Sequence, residues 1–512
     1  MDCIRHTDLP HTSKLFADFL YHFDRVAAFY DHDPGDAASY RRAAGQVRFP
    51  VERRAGLVAA LRAQNGDCEA LERLARPETV AVLTGQQVGL FTGPAYAVYK
   101  ALSAAWLARR LTEQGIGAVP VFWLATEDHD FAEVNHCWAF NAACEPVRIE
   151  VPDVGFDRRP VGGIPVPAGA VERLKQVLLD LPFAEETIAL AEETYRPGET
   201  FGSAFAAMLR RLLAPWGLLF FDPIEARARR LAAPLLREAA QAGPELRRLV
   251  LERNGQLAAA GYHAQVRVEE QSSFVFLLED GRRVDGRQFS SDELAGRAEQ
   301  LSPNALLRPV VQDYIFPTVA SVGGPGEVAY LAQSQVLYRA LLGRMPVPVH
   351  RHGWTLLDGR ADRLMRRYGL SLPDFFHGEE PLRERISEKL VPPALGGLIG
   401  QTRAQASGLL DELGAGLAGY DASLLASFEK SRRKMLYQLS KVERKVAREA
   451  LRRDQRAARE AAYLGGLVYP HRHLQERFYS IVPLLARHGL DLPTRLYESI
   501  VPDCRDHQVL VV

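Results

Sequence analysis

The feature that most constrains the fold is a strand, a loop, a helix and a second strand in direct succession between residues 79 and 130. The run "TVAVLTG" has the length and continuous apolar character of a buried strand, and "AVPVFWLA" repeats this pattern. Between them, "AYAVYKALSAAWLARRLTEQG" has helical periodicity, with Pro94 near its first turn and Gly115 at its end. This βαβ order predicts a right-handed crossover, a parallel sheet and an α/β fold.

A glycine-rich loop follows the first of these strands, in "TGQQVGLFTGPAYAVYK". Gly85 and Gly93 allow the backbone to approach a ligand, and the amides of the next helix favour an anion. The spacing matches neither of the two usual phosphate-binding fingerprints. Gln86 and Gln87 offer donors and acceptors that packing does not require, which favours a substrate pocket over a simple turn. Lys100, two turns into the helix, is predicted to be solvated.

A polar cluster, "TEDHD", follows the second strand and contains Glu127, Asp128, His129 and Asp130. One imidazole among three carboxylates can act as a general acid or base, bind a substrate ammonium group or hold a metal ion. A zinc site that adds His136 and the nearby cysteines lacks the usual ligand spacing, so no metal site is predicted. Ligands of parallel α/β sheets bind beyond the carboxyl ends of the strands, so this cluster and the glycine loop are predicted to face one crevice.

A second glycine loop lies in "SVGGPGEVAYLAQ", between a predicted strand and a helix that carries Glu327 and Tyr330. Upstream, Arg308 and Gln312 lie four residues apart and therefore on one helical face. Arg308 could hold a carboxylate or phosphate through two hydrogen bonds, or it could form a surface ion pair.

The α/β pattern extends over residues 1–381 and is interrupted twice, at about 140–200 and 242–303. In the second interruption, which reads as irregular, "AQVRVE" and "SSFVFLLE" alternate and are predicted to pair as a small antiparallel sheet. After it, the pattern resumes with a helix, a strand, a loop and a helix, and "MPVPVHRHGWTLLD" is predicted to be the closing strand.

A different pattern occupies residues 382–463, where apolar residues recur three or four apart among charged ones, which predicts a long helical hairpin or coiled coil. Its basic run "KSRRKMLYQLSKVERKVAREALRRDQR" indicates either a solvated helix face or a polyanion site. Residues 464–512 are predicted to pack back on the core.

Charge and cysteine content restrict the class of protein. The chain has 63 Lys and Arg against 63 Asp and Glu, so nucleic acid is not an expected partner. Its five cysteines contain no C-x-x-C pair and fit free thiols in a reducing compartment. No segment resembles a signal peptide or a membrane span, and the expected location is the cytoplasm.

Three long strings occur here in one order: "LTGQQVGLFTGPAYAVYK", "PVFWLATEDHDFAEVNH" and "SPNALLRPVVQDYIFPTVASVGGPGEVAYLAQ". With the coiled coil behind them, they resemble the bacillithiol-biosynthesis cysteine-adding enzymes over essentially the whole chain. The resemblance implies a Rossmann-like core related to class I aminoacyl-tRNA synthetases, with two connective-peptide insertions. It also implies a coiled coil that supports a homodimer.

The same resemblance implies a cysteine ligase whose substrates are cysteine and glucosamine-malate. Amide formation needs an activated acyl group, so ATP is expected, with no metal beyond Mg²⁺ that accompanies it; an adenylate and an acyl phosphate are both open. The alternative is a non-catalytic nucleotide-binding or scaffolding protein with a synthetase-like core. A "HIGH"-type histidine and a "KMSKS" string are absent from the sequence.

We predict one crevice formed by these loops and helices. Its catalytic candidates are Asp128, His129 and Asp130. Its substrate- or nucleotide-binding candidates are Thr84, Gly85, Gln86, Gln87, Thr92, Gly93, Tyr96, Glu127, Arg308, Gln312, Gly323, Gly324, Gly326, Glu327 and Tyr330.

Overall fold

A computed structural model describes residues 2–153, 155–156 and 158–512, which form two compact units. The larger unit contains the described residues up to 142, those of 146–355 and residues 476–510. The smaller unit contains residues 143–145, 356–475 and 511–512. Within the described part of the chain, no helix has the length and apolar character needed to cross a membrane.

The strands, in chain order, are β1 (Asp2–Ile4), β2 (Val80–Gln86), β3 (Ala118–Leu124), β4 (His136–Phe140), β5 (Pro146–Glu150), β6 (Leu219–Phe221), β7 (Val275–Glu279), β8 (Arg282–Asp285), β9 (Leu301–Pro303), β10 (Thr318–Gly323), β11 (Val347–His350), β12 (Trp354–Leu357) and β13 (His507–Val511).

The first fourteen helices are α1 (Lys14–Tyr21), α2 (Ala37–Gln46), α3 (Val51–Asn65), α4 (Glu69–Leu74), α5 (Tyr96–Glu113), α6 (Phe131–Val134), α7 (Ala170–Leu178), α8 (Ala184–Thr194), α9 (Phe201–Leu213), α10 (Ala226–Gln241), α11 (Gly243–Ala259), α12 (Ser291–Gly296), α13 (Arg308–Ile315) and α14 (Pro325–Leu341). The others are α15 (Gly359–Tyr368), α16 (Glu379–Glu388), α17 (Pro393–Tyr420), α18 (Leu425–Arg453), α19 (Gln455–Val468), α20 (Gln475–Phe478), α21 (Ile481–His488) and α22 (Leu492–Glu498).

Five parallel strands form the central sheet of the larger unit, in the order β11-β10-β2-β3-β6. Alternate residues of β2 point to opposite faces, so Ala81 and Leu83 belong to one buried core and Val80 and Val82 to another. Both faces of the sheet are therefore covered, which explains why its strands are continuous apolar runs. The predicted parallel α/β core is confirmed, and its architecture is Rossmann-like.

Two details of the predicted core are wrong. The segment predicted as irregular from residue 242 begins with helix α11, and "AQVRVE" forms no strand. Its backbone instead pairs with a side chain, because the amide of Gln333 accepts from Val266 N at 2.8 Å and donates to Val266 O at 2.9 Å. β7 pairs with β8 and β9, and Asp280 and Gly281 both have positive φ, as a tight hairpin turn requires.

The predicted closing strand in "MPVPVHRHGWTLLD" is two strands, β11 and β12, which belong to different sheets. The residues between them bond to other elements: Arg351 N donates to Gly323 O at 2.9 Å, and His352 N donates to Ser103 Oγ at 3.0 Å. This break places Arg351 directly at the carboxyl end of the central sheet.

The smaller unit contains the predicted coiled coil. Its helices α17 and α18 run antiparallel, as shown by ion pairs from Arg403 to Glu443 at 3.1 Å and from Arg432 to Asp411 at 2.6 Å. None of the residues of α17 is buried. The basic run, residues 430–456, lies on α18 and the start of α19, where it is mostly exposed.

Candidate functional site

A cavity of about 580 Å³ opens beyond the carboxyl ends of β2, β3 and β10, as expected for a parallel α/β sheet. We call it the strand-end cavity. The sequence-predicted residues that line it are Thr84, Gly85, Gln86, Gln87, Tyr96, Asp128, Arg308, Gln312, Gly323, Gly324, Gly326, Glu327 and Tyr330. Both glycine loops and Asp128 of the cluster after β3 therefore line one cavity, which is the convergence that the sequence predicts.

The first glycine loop forms the floor of the cavity. Thr84 Oγ1 donates to Val322 O at 2.9 Å and joins the ends of β2 and β10. A Cβ at Gly85 would lie 2.8 Å from the carbonyl oxygen of Trp123, so only glycine allows β2 and β3 to approach this closely. The adjacent Gln86 and Gln87 side chains can then face the cavity from a rigid floor.

Lys100 is buried beneath this floor, and the prediction of a solvated lysine is wrong. Its side chain is 3% exposed and lies 2.5 Å from the carboxylate of Glu327. Its Nζ also donates to Gly85 O at 2.9 Å and to Gln86 Oε1 at 2.8 Å. Burial lowers the pKa of Lys100, whereas the negative charge of Glu327 favours the protonated form. The Lys100 ammonium group thus connects the first glycine loop to α14, the helix that follows the second glycine loop.

Asp128 presents a hydrogen-bonded carboxylate to the cavity. Gln87 Nε2 donates to its Oδ2 at 2.8 Å, and Arg283 Nη1 lies 3.5 Å from its Oδ1. Burial alone would raise the pKa of Asp128, but the charges of Arg283 and Arg308, with these hydrogen bonds, hold it below its usual value. The group is therefore ionised at neutral pH and suited to bind an ammonium group or to accept a proton.

His129 lies beside Asp128, but it is not among the residues that line the cavity. Burial and the charge of Arg283 lower its pKa, so the ring is neutral at neutral pH. Its Nδ1 lies 3.2 Å from Arg283 Nη1, a pure donor, so Nδ1 accepts and the proton is on Nε2. In this tautomer neither ring nitrogen is free to take a proton.

The opposite wall is formed by α13 and α14. Arg308 and Tyr330 both line this wall, and the positive charge of Arg308 lies close enough to the phenol to interact with it. Burial, with the charge of Glu327, raises the pKa of Tyr330 to about 12. The phenol is therefore protonated at neutral pH, and Tyr330 presents it to the lining of the cavity.

Four predicted residues, besides His129, lie away from this wall. Thr92 is fully buried, and it shares with neighbouring Gly93 a tight turn of positive φ. Glu127 points to the other side of β3, 3.4 Å from Arg229. Asp130 caps α6 by accepting from Glu133 N at 3.3 Å. The chain leaves β3 after Leu124 and turns at Thr126 and Glu127, so the side chains of the cluster point in different directions.

Three arginines of the wall were not predicted from the sequence. Arg283 belongs to β8 and Arg477 to α20, both far from the motifs in the chain, and no local pattern distinguishes them. Arg351 could have been predicted to line the cavity, because it directly follows β11, another strand of the parallel sheet. Its guanidinium is held by Glu476 through contacts of 2.9 Å and 2.5 Å.

The lining carries a surplus of positive charge. Its charged residues are the cations Lys100, Arg283, Arg308, Arg351 and Arg477 and the carboxylates Asp128 and Glu327. Such a surplus favours anionic ligands, and arginine favours carboxylates and phosphates in particular. Among the described residues, no three His, Cys, Asp or Glu side chains are grouped as metal ligands would be.

Comparisons with known proteins cover the whole chain. The family model "Bacillithiol biosynthesis BshC, N-terminal Rossmann-like domain" matches residues 1–352, and "Bacillithiol biosynthesis BshC, C-terminal coiled-coil domain" matches residues 354–512. A protein of Solibacter usitatus is 53% identical over 100% of this chain and 99% of its own length. Proteins of Koribacter versatilis (36% identical, 100% and 99% covered) and Symbiobacterium thermophilum (33%, 95% of each) are also similar. All three carry the name "Putative cysteine ligase BshC".

Proposed function

The chain belongs to the BshC family of bacillithiol biosynthesis, and we propose that it is a cysteine ligase that forms bacillithiol. In this reaction the carboxyl group of cysteine forms an amide with the free amine of glucosamine-malate. The observation that supports it is the cationic surplus of the strand-end cavity, whose two carboxylates include the ionised Asp128. An amine that carries a malate group needs this combination of charges.

The proposed roles follow from what each side chain can donate or accept. Asp128 binds the sugar amine, orients it towards the acyl carbon and accepts its proton as the bond forms. Arg308, supported by Tyr330, binds a substrate carboxylate. His129 was an equal candidate for the base, but its hydrogen bond to Arg283 favours Asp128 and gives the histidine a positioning role.

ATP is the proposed source of the activated acyl group, with Mg²⁺ bound to its phosphates. The first amide of the α14 loop is already occupied, because Gly324 N donates to Glu327 Oε2 at 2.8 Å. Phosphates would therefore meet Arg308 and Arg477 of the wall rather than this amide, because the charge of Arg351 is already paired with Glu476. The nucleotide product distinguishes the two activation routes, since an adenylate yields AMP and an acyl phosphate yields ADP.

A second candidate function is a non-catalytic nucleotide-binding or scaffolding protein. One observation favours it: among the described residues that line the cavity, none is a histidine, so the usual neutral base is absent. This protein would bind nucleotide in the same cavity without making product.

Thiol analysis in cells tests the proposed function. A bacterium that lacks its own BshC family member should recover bacillithiol when it expresses this chain, as measured by fluorescent thiol labelling and mass spectrometry. The empty vector provides the baseline. Soluble expression without any bacillithiol would contradict the proposal.

We also propose that α17 supports a homodimer. Four large apolar side chains lie on one face of this helix and are 52–86% exposed: Leu398, Leu409, Leu413 and Tyr420. An exposed apolar stripe of this kind is typical of an interface between helices.

Replacing both Leu409 and Leu413 by glutamate should convert the dimer into a monomer, because four charges would face each other across the interface. Light scattering after gel filtration measures the mass, which is 56.9 kDa for one chain. Ala415→Glu, at an exposed position on another face of the same helix, should remain dimeric. A double-glutamate variant that stays dimeric would exclude this stripe as the interface.

A further inference from the structure

The two ends of the chain bring a pair of cysteines together. Cys3 lies in β1 and Cys504 lies just before β13, yet their sulfur atoms are 3.8 Å apart. Cys3 is exposed and Cys504 is half-buried, whereas Cys137 and Cys144 are buried in the interior. The pair is therefore both close and open to small solutes.

Several contacts hold the two sulfur atoms near each other. β1 pairs antiparallel with β13, with Cys3 opposite Gln508. The Tyr21 hydroxyl donates to Asp506 Oδ1 at 2.7 Å, and Arg505 Nη1 donates to Leu20 O at 2.5 Å. The backbone on both sides of the pair is thus fixed, and the reaction of one thiol with the other needs little further ordering.

We propose that Cys3 and Cys504 are a modification site at which a small-molecule disulfide oxidises the protein to an intramolecular disulfide. The exposed Cys3 thiolate attacks the disulfide RSSR, forms a mixed disulfide and releases RS⁻. The Cys504 thiolate then attacks the Cys3 sulfur and releases the second RS⁻. The two protein thiols are oxidised, RSSR is reduced to two thiols, and the two protons of the cysteines pass through solvent to the released thiolates.

The local environment controls how fast this exchange runs. Burial, together with the contact with Cys504, raises the pKa of the Cys3 thiol to about 11. Little thiolate is present at neutral pH, so the oxidation accelerates as the pH rises towards that value. The exchange is consequently slow at neutral pH, and its rate rises in proportion to the concentration of the disulfide.

The crosslink would also fix a segment that lines another cavity. Residues 503–506 lie on the wall of a cavity of about 190 Å³, to which Arg351 also contributes. Arg351 lines the strand-end cavity as well. The two cavities thus share Arg351, and the segment that contains Cys504 lies on the wall of the smaller one.

Peptide mapping after treatment with cystamine tests the proposal. The intact protein should lose two hydrogen atoms and yield a linked Cys3–Cys504 peptide, faster at pH 9 than at pH 7. Cys3→Ser should give no linked peptide and a mixed disulfide of Cys504 with cysteamine. Cys68→Ser, which alters another half-buried cysteine, should behave like the wild type.

Two outcomes would overturn the proposal. One is separate mixed disulfides of Cys3 and Cys504 with cysteamine and no linked peptide, and the other is a disulfide that joins two chains. The melting temperature of each serine variant, measured under reducing conditions, shows whether the fold is intact. Neither outcome bears on the ligase reaction, which is measured separately.

Discussion

Replacing Asp128 by asparagine is expected to slow amide formation about 1,000-fold while leaving the fold intact, which is within the range for removal of a general base. Asparagine keeps the size of the side chain and can still accept from Gln87, but it cannot bind an ammonium group as an ion pair or accept its proton. Because the Asp128 pKa is held below its usual value, the carboxylate is ionised throughout the neutral range. The measurement is the single-turnover rate with saturating cysteine and ATP.

A comparison with His129 sharpens this prediction. His129→Asn should lower the rate by only about tenfold, because an amide oxygen can still accept from Arg283 in place of Nδ1. Asp67→Asn, an exposed carboxylate paired with Arg62, should leave the rate unchanged. A larger loss at His129 than at Asp128 would identify the histidine as the base and contradict the assignment.

Replacing Arg351 by methionine is expected to lower the free energy of unfolding by about 3–5 kcal/mol, the usual cost of breaking a buried ion pair. The side chains of Arg351 and Glu476 are 3% and 4% exposed, so the carboxylate would remain buried without its partner charge. Glu476 would keep only neutral donors, such as Trp354 N at 3.1 Å. Urea unfolding followed by fluorescence measures the change.

The double variant Arg351→Met with Glu476→Met provides the matched test. Removing both charges should recover part of the loss, because no unpaired ion then remains in the interior. An additive loss from the two substitutions would show that Arg351 stabilises the protein through packing and not through the ion pair.

The central sheet and much of the candidate site could be predicted from the sequence. β2 and β3 are readable because strands buried on both faces are continuous apolar runs, and strand ends mark the ligand edge of such a sheet. This reasoning correctly brings Gln87, Asp128 and Gly324 to one cavity. It could also have found Arg351, which follows β11 in the same way.

The remaining features depend on contacts that no local pattern contains. Lys100 looks like any helical lysine until Glu327, from the other glycine loop, is placed 2.5 Å from its Nζ. Arg283 and Arg477 come from a hairpin and a late helix whose positions are fixed only by tertiary packing. The direction of the Glu127 side chain is set by the turn after β3, and the sequence pattern does not specify the shape of that turn.

The most direct test of the account is product formation by the purified protein. Cysteine, glucosamine-malate, ATP and Mg²⁺ are incubated with the wild type and with Asp128→Asn, and bacillithiol and nucleotide products are measured by mass spectrometry. We expect bacillithiol with the wild type, one nucleotide consumed for each molecule made, and a loss of about 1,000-fold with the variant. Nucleotide binding without bacillithiol in any condition, or equal product from both proteins, would contradict it.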